Sequence, residues 1–293
     1  MGLSEYIQSA EILKNTGDLT LYDLKQTTLS RGHEWFAQHP EERDRIRRNL
    51  AAFNLPDDKT SVQKVVDQVL LHYYEKLIPF CGDPESYYTY LQNHVDSREA
   101  IECIKRVHEQ GKAALLATSH FGAIEMIAPV LAMAMLPVAP VLRFRTRQLS
   151  DMAARRAKEM EATGKFGPVR FIEIGKPHTV AALDMAAALR RKDVLLSMVD
   201  EKTEYSIPVT LLKRKIAGGA GLDRLLKFVR APVSVFKAFM IRQSDETYRF
   251  RLYPVAADSE NPVQELFYRL EEVVRKQPEQ WYFLHEKIPF MDS

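Results

Sequence analysis

The run Ala113-Ala114-Leu115-Leu116-Ala117-Thr118-Ser119-His120-Phe121-Gly122-Ala123-Ile124-Glu125 decides how the rest of the chain is read. Apolar residues up to Ala117 follow one another without polar alternation. That predicts a strand buried on both faces, as in a parallel sheet, where alternation would indicate a half-solvated one. Ser119, His120 and Gly122 then turn the chain, and the apolar residues beyond Ile124 predict a helix.

Working outward, the same texture recurs on both sides of this run. A helix is predicted over 97–109, ending at Gly111. Further strands are predicted at Val138–Phe144, Val169–Ile174, Val194–Val199, Val209–Leu212, Val233–Ala238 and Tyr248–Val255. Helices are predicted over 149–162, 178–190, 220–229 and 262–276. Strands alternating with helices predict an α/β fold with a mixed, mostly parallel central sheet flanked by helices. The last strand pair, joined around Gln243-Ser244-Asp245-Glu246, reads as antiparallel. Upstream, the pattern is helical only: Glu41 and Glu42 lead a segment that Arg47 and Arg48 close, which suits the helix dipole. Val62, Val65, Val66, Val69, Leu70 and Tyr73 then recur at helical spacing. We therefore expect a helical N-terminal extension, residues 1–95, packed on an α/β core, residues 96–293, within one structural domain.

Composition narrows the function classes. The 293 residues are 46% hydrophobic and 27% charged, a globular balance that can bury a core without disulfides or a structural metal. Forty-one Lys and Arg against thirty-nine Asp and Glu leave a net charge of +2, which argues against nucleic acid as a partner. Two cysteines, Cys81 and Cys103, are too few for a secreted disulfide framework. With no export leader at the start of the sequence, the expected location is the cytoplasm. The apolar stretch from Met126 to Leu142 approaches membrane-spanning length, but Pro129, Pro137 and Pro140 interrupt it. It reads as a buried helix followed by a buried strand.

Chemistry concentrates at His120. In open α/β sheets ligands gather at the carboxyl ends of strands, which is where the pattern places this imidazole. Glu125, with four residues between, can swing its carboxylate back to the ring. A His oriented at one ring nitrogen acts as general base through the other. Asp200 ends another predicted strand and either lines the same cleft or caps a turn. The Gly218-Gly219-Ala220-Gly221 turn has neither a Walker Lys nor the full dinucleotide spacing, so Gly219 reads as a close backbone approach. Arginines form a second signal: alternation in Leu142 to Arg147 places Arg143, Arg145 and Arg147 on one strand face. Arg155 and Arg156 read as a solvated helix face. His33-Glu34 and His39 lack metal-ligand spacing, as do the other histidines, so no metal site is expected.

His120 and Glu125 together match the H-x4-D/E motif, and the chain resembles the glycerolipid acyltransferase superfamily. It is most similar to the branch of the bacterial lipid A late acyltransferases and the mycobacterial phosphatidylinositol mannoside acyltransferase. The likeness is carried in order by Arg47-Arg48-Asn49-Leu50, Tyr74-Glu75, the His-Glu motif, Val199-Asp200, the Gly218–Gly221 turn and Pro278-Glu279-Gln280-Trp281-Tyr282-Phe283-Leu284-His285. It extends over residues 41–290. The resemblance implies direct transfer of a fatty acyl group from a thioester to a hydroxyl or amine. His120 would be the general base, Glu125 its orienting acid, and no covalent acyl-enzyme would form. The donor would be an acyl carrier protein phosphopantetheine thioester or acyl-coenzyme A, a co-substrate, with no cofactor bound. Arg143, Arg145 and Arg147, with Asp200 and Gly219, would contact the substrates, the arginines at the donor phosphate.

Two departures from the branch bear on the acceptor. Residues 1–40 are polar where lipid A members carry a transmembrane anchor, and no Pro follows the arginines, of which Arg145 is the match. A small metabolite acceptor therefore stands beside a membrane lipid. The expected partners are the acyl donor, that acceptor and, through basic clusters, a weakly held membrane surface at the inner face of the cell membrane. The rival readings are a catalytically silent lipid- or acyl-carrier-binding module on the same fold, and a thioester hydrolase.

Overall fold

The computed structural model describes the chain apart from residues 1, 10–15, 145, 175–177, 220, 230, 257–258 and 292–293. Its strands are β1 (Val95–Asp96), β2 (Ala113–Thr118), β3 (Val138–Leu142), β4 (Ile172–Glu173), β5 (Val194–Met198), β6 (Ile207–Leu211), β7 (Arg214–Gly218), β8 (Val233–Arg242) and β9 (Tyr248–Val255). Seven of them form one sheet in the order β1-β9-β8-β2-β5-β3-β4. Every neighbouring pair is parallel except β8 and β9, which are antiparallel. The molecule is thus an α/β protein with a mostly parallel sheet. β2 lies between β8 and β5 and is buried at every residue, as its unbroken apolar run requires.

The helices of the N-terminal half are α1 (Leu3–Ile7), α2 (Leu21–Gln38), α3 (Pro40–Ala52), α4 (Lys59–Leu77) and α5 (Pro84–His94). Asp58 caps α4 by accepting from the Thr60 and Ser61 backbone N–H groups, and Pro40 occupies the first turn of α3. Both choices satisfy or remove donors that a helix start leaves unpaired. The helices α6 (Arg98–Glu109), α7 (Ile127–Met133), α8 (Arg147–Ala162), α9 (His178–Arg190), α10 (Leu222–Phe228) and α11 (Pro262–Lys276) alternate with the strands. α4 packs on the segments Ile124–Met126, Pro278–Gln280 and Tyr282–His285, and its buried stripe joins one continuous apolar cluster with the sheet. The expected division between residues 95 and 96 falls inside β1.

Four features differ from the sequence expectation. β3 ends at Leu142, so Arg143 lies outside it, and Arg147 is the first residue of α8. Thr146 is the reason: its hydroxyl accepts from the Leu149 N–H and starts a helix where the alternation suggested more strand. A shared strand face for Arg143 and Arg147 is therefore corrected, and Arg145 lies outside the described residues. Arg156 is buried, its guanidinium donating to the carbonyls of Pro79 and Gly82, so it is no solvated surface residue. Lastly, Arg214–Gly218, where no strand was expected, is a strand. It pairs antiparallel with β6 as a separate hairpin. Leu212 and Lys213 turn it, both at positive φ (50° and 65°), the conformation that a two-residue primed turn demands.

Candidate active site

β2, β5 and β3 run parallel and adjacent, so the residues that follow them, His120, Asp200 and Arg143, emerge at one carboxyl edge of the sheet. The chain leaving β2 is held by what surrounds it. Gly122 donates to the Gln280 carbonyl at 2.9 Å, Ala123 to the Met240 carbonyl at 2.8 Å, and Tyr282 to the His120 carbonyl at 2.8 Å. Gly122 sits at φ +67°, and a Cβ there would land on the Met240 carbonyl oxygen. This is a turn that only glycine permits.

Asp200 fixes the imidazole. One carboxylate oxygen accepts from the His120 backbone N–H at 2.9 Å and the other lies 3.0 Å from Nδ1. The Trp281 indole N–H adds a third donor at 3.3 Å. The Asp200 side chain is fully buried, whereas that of His120 keeps 13% exposure. Burial alone would raise the Asp200 carboxyl, but the charge and hydrogen bonds of His120, with the charge of Lys237, hold it below its usual range. An ionised carboxylate only accepts, so Nδ1 carries the proton and Nε2 presents its lone pair. Burial depresses His120 in turn, yet the Asp200 charge and hydrogen bond outweigh that and leave it raised. The result is a base stronger than free imidazole, with one nitrogen committed and the other turned toward Glu201, whose half-exposed carboxylate is 3.4 Å from Nε2. Phe283 meets the ring edge-on at 4.9 Å and Tyr282 lies at 6.1 Å, so aromatic side chains flank the imidazole.

Glu125 lies elsewhere. It is the middle residue of a short turn, Ile124–Met126, that packs on α4, and its carboxylate is 3.4 Å from the Lys76 ammonium and 3.9 Å from His72 Nε2. The carboxylates beside His120 are Asp200 and Glu201, not Glu125. The Lys76 charge opposes protonation of His120, and Glu125 is ion-paired with that ammonium. Gly219, at φ +86°, donates to the Val199 carbonyl at 2.7 Å and rests against Val263. It ties the hairpin to the residue before Asp200. Arg143 is exposed just beyond β3, and Arg147 is 94% exposed at the start of α8. Among the described residues no group of three His, Cys, Asp or Glu side chains could hold a metal ion.

The other sequence blocks converge on the same place. Asn49 donates to the carbonyls of Leu284 at 3.0 Å and Glu286 at 2.9 Å, clasping the segment that carries Tyr282 and Phe283. Glu75 and Arg242 form a buried ion pair, and Gln280 accepts from the Arg242 N–H and donates to its carbonyl. Glu201, Trp281, Lys237 and Ser119 were not singled out from sequence as site residues. Glu201 had a signal in following the strand-end Asp200; Lys237 stood in a predicted strand, where a charged residue was itself the anomaly.

A buried carboxylate holding an imidazole at the carboxyl edge of an α/β sheet defines a protein equipped for acid–base chemistry. The family described as bacterial lipid A biosynthesis acyltransferase matches residues 22–288, and the chain belongs to that family. It is accordingly an acyltransferase, and membership implies an acyl donor and a lipid acceptor. A comparison with curated proteins finds no match. Among the described residues no helix is long and apolar enough to cross a membrane.

Proposed function

We propose that the protein transfers a fatty acyl group from a thioester, carried on acyl carrier protein or coenzyme A, directly to a hydroxyl or amine of its acceptor. The observation that carries this reading is the pairing of His120 Nδ1 with buried Asp200, which leaves Nε2 as the free base at the sheet edge. The acceptor O–H or N–H donates to Nε2. As it loses that proton, its oxygen or nitrogen attacks the thioester carbonyl. The tetrahedral intermediate then collapses, expelling the thiolate, and the imidazolium returns its proton to the departing sulfur. Asp200 stabilises the imidazolium without taking its proton, and Glu201 adds a second negative charge beside Nε2. The carboxylate in the orienting role is therefore read as Asp200, with Glu125 balancing Lys76.

The donor bears phosphate, and exposed Arg143 beyond β3 has the chemistry and the edge position to meet it. The test is to supply acyl-carrier and acyl-coenzyme A thioesters with and without candidate lipid and small-molecule acceptors. Transfer that requires acceptor supports the reading. Thioester loss without acceptor would make the protein a hydrolase, and binding without turnover a silent module.

A further inference from the structure

Lys237 occupies the middle of β8, in register with Ala117 of β2, and is fully buried. Burying an ammonium is costly unless it is compensated, and its neighbours on the strand, Phe236, Ala238, Phe239 and Met240, are apolar. Its Nζ donates to the Ser119 hydroxyl and lies 5.1 Å from the Phe239 ring centroid. Ser119 is itself buried and immediately precedes His120. The charged group that acts on Lys237 is Asp200. This buried cation is thus tied to the residue that precedes His120 and acted on by the charge of the residue that holds its ring.

We propose that Lys237 is a positioning residue whose buried side chain, through Ser119 and Asp200, sets the charge balance of the Asp200–His120 pair. This rests on His120 being the base. Burial brings Lys237 down to about 7 although Asp200 pulls the other way, so it exchanges its proton in the range where an imidazole works. The groups acting on His120 are Asp200, Glu201 and Lys76, with His72 close by. When protonated, Lys237 keeps Asp200 anionic and opposes a second positive charge on the imidazole. His120 then stays unprotonated, and able to accept, to a lower pH. Without that cation the imidazole holds its proton more tightly.

The experiment is a nuclear magnetic resonance titration of the His120 ring in the full chain, wild type against Lys237→Met, paired with pH profiles of kcat/KM. The expected result is a His120 pKa raised by about one pH unit, with the acidic limb of kcat/KM moving the same way and up to tenfold lower kcat/KM on that limb. An unchanged or lowered His120 pKa would overturn the proposal. Should Lys237→Met fail to fold, the Nζ resonance of 15N-lysine-labelled wild type decides. Titration near neutrality, lowered further by Asp200→Asn, supports the proposal, and titration in the ordinary lysine range of about 10.4 overturns it. Activity of His120→Ala tests the base assignment on its own, so the two failures are distinguishable.

Discussion

Asp200 accepts from both the backbone N–H and the ring Nδ1–H of His120, at 2.9 and 3.0 Å, from a side chain with no solvent exposure. The two bonds fix the tautomer and the position of the ring together. Asp200→Asn keeps the shape but offers the ring an amide in place of a carboxylate, which favours the wrong tautomer and withdraws the charge that supports the imidazolium. We expect kcat to fall by about 10²–10⁴-fold with little change in the thermal transition. Glu125→Gln leaves both bonds in place and should lose less. Steady-state kinetics of the two variants checks the order, and a greater loss in Glu125→Gln would return the orienting role to Glu125.

Trp281→Phe removes the third donor to Asp200 while keeping an aromatic ring against Phe53, whose centroid is 5.4 Å away. Hydrogen bonds to charged groups contribute about 1.5–3 kcal/mol, and the 3.3 Å length places this one at the low end. Turnover should fall about tenfold. Because Asp200 then leans harder on His120, the acidic limb of kcat/KM should move to higher pH. A purely structural tryptophan would leave that limb where it is.

Gly122→Ala should be among the most damaging single-methyl additions in the chain. The positive φ and the Met240 carbonyl both oppose a Cβ, and strained backbone of this kind costs about 1–3 kcal/mol before the clash is counted. Calorimetry should show a Tm lowered by several degrees, and the turn after His120 should lose hydrogen-exchange protection.

Acid should destabilise the protein in a window set by buried histidines. Burial holds His285 down to about 4 and holds His72 well below the ordinary range. Both groups therefore take up protons in the unfolded chain before the folded one. The stability they permit is complete above about 6.5 and is lost as pH falls toward 4, by at most about 1.4 kcal/mol per pH unit for each. His120, raised on folding, has the opposite sign: its contribution is full below the unfolded value and fades as pH rises through the folded one. Replacing His285 by Gln should flatten the fall in Tm between pH 6.5 and 4. An unaltered slope would show that His285 is not among the groups responsible.

Much of this was legible in the sequence because burial writes itself into apolar runs. The β2 run, the helical stripe of α4 and the strand-turn-helix at His120 all follow from residue order alone. The partner of His120 was not legible in the same way. Asp200 is distant in sequence and becomes its partner only because β2 and β5 pair in register, whereas Glu125, close in sequence, is drawn to Lys76 on another helix. The β6–β7 hairpin was half hidden because its turn uses Leu212 and Lys213 at positive φ, without the Asn-Gly or Asp-Gly that usually announces one. Arg156 looked solvated because its sequence neighbours are charged; the carbonyls of Pro79 and Gly82 that bury it come from the far end of the N-terminal helices.

The proposed role of His120 as general base of direct acyl transfer is tested by the turnover of His120→Ala measured with donor and acceptor together. Removing the ring leaves the buried Asp200 carboxylate with only the His120 backbone N–H and the Trp281 indole as donors, so the variant should unfold at a lower temperature than wild type while staying folded at the assay temperature. Its kcat should fall by about 10²–10⁴-fold, the usual worth of general-base assistance. A folded His120→Ala protein that transfers acyl groups at the wild-type rate would contradict the account.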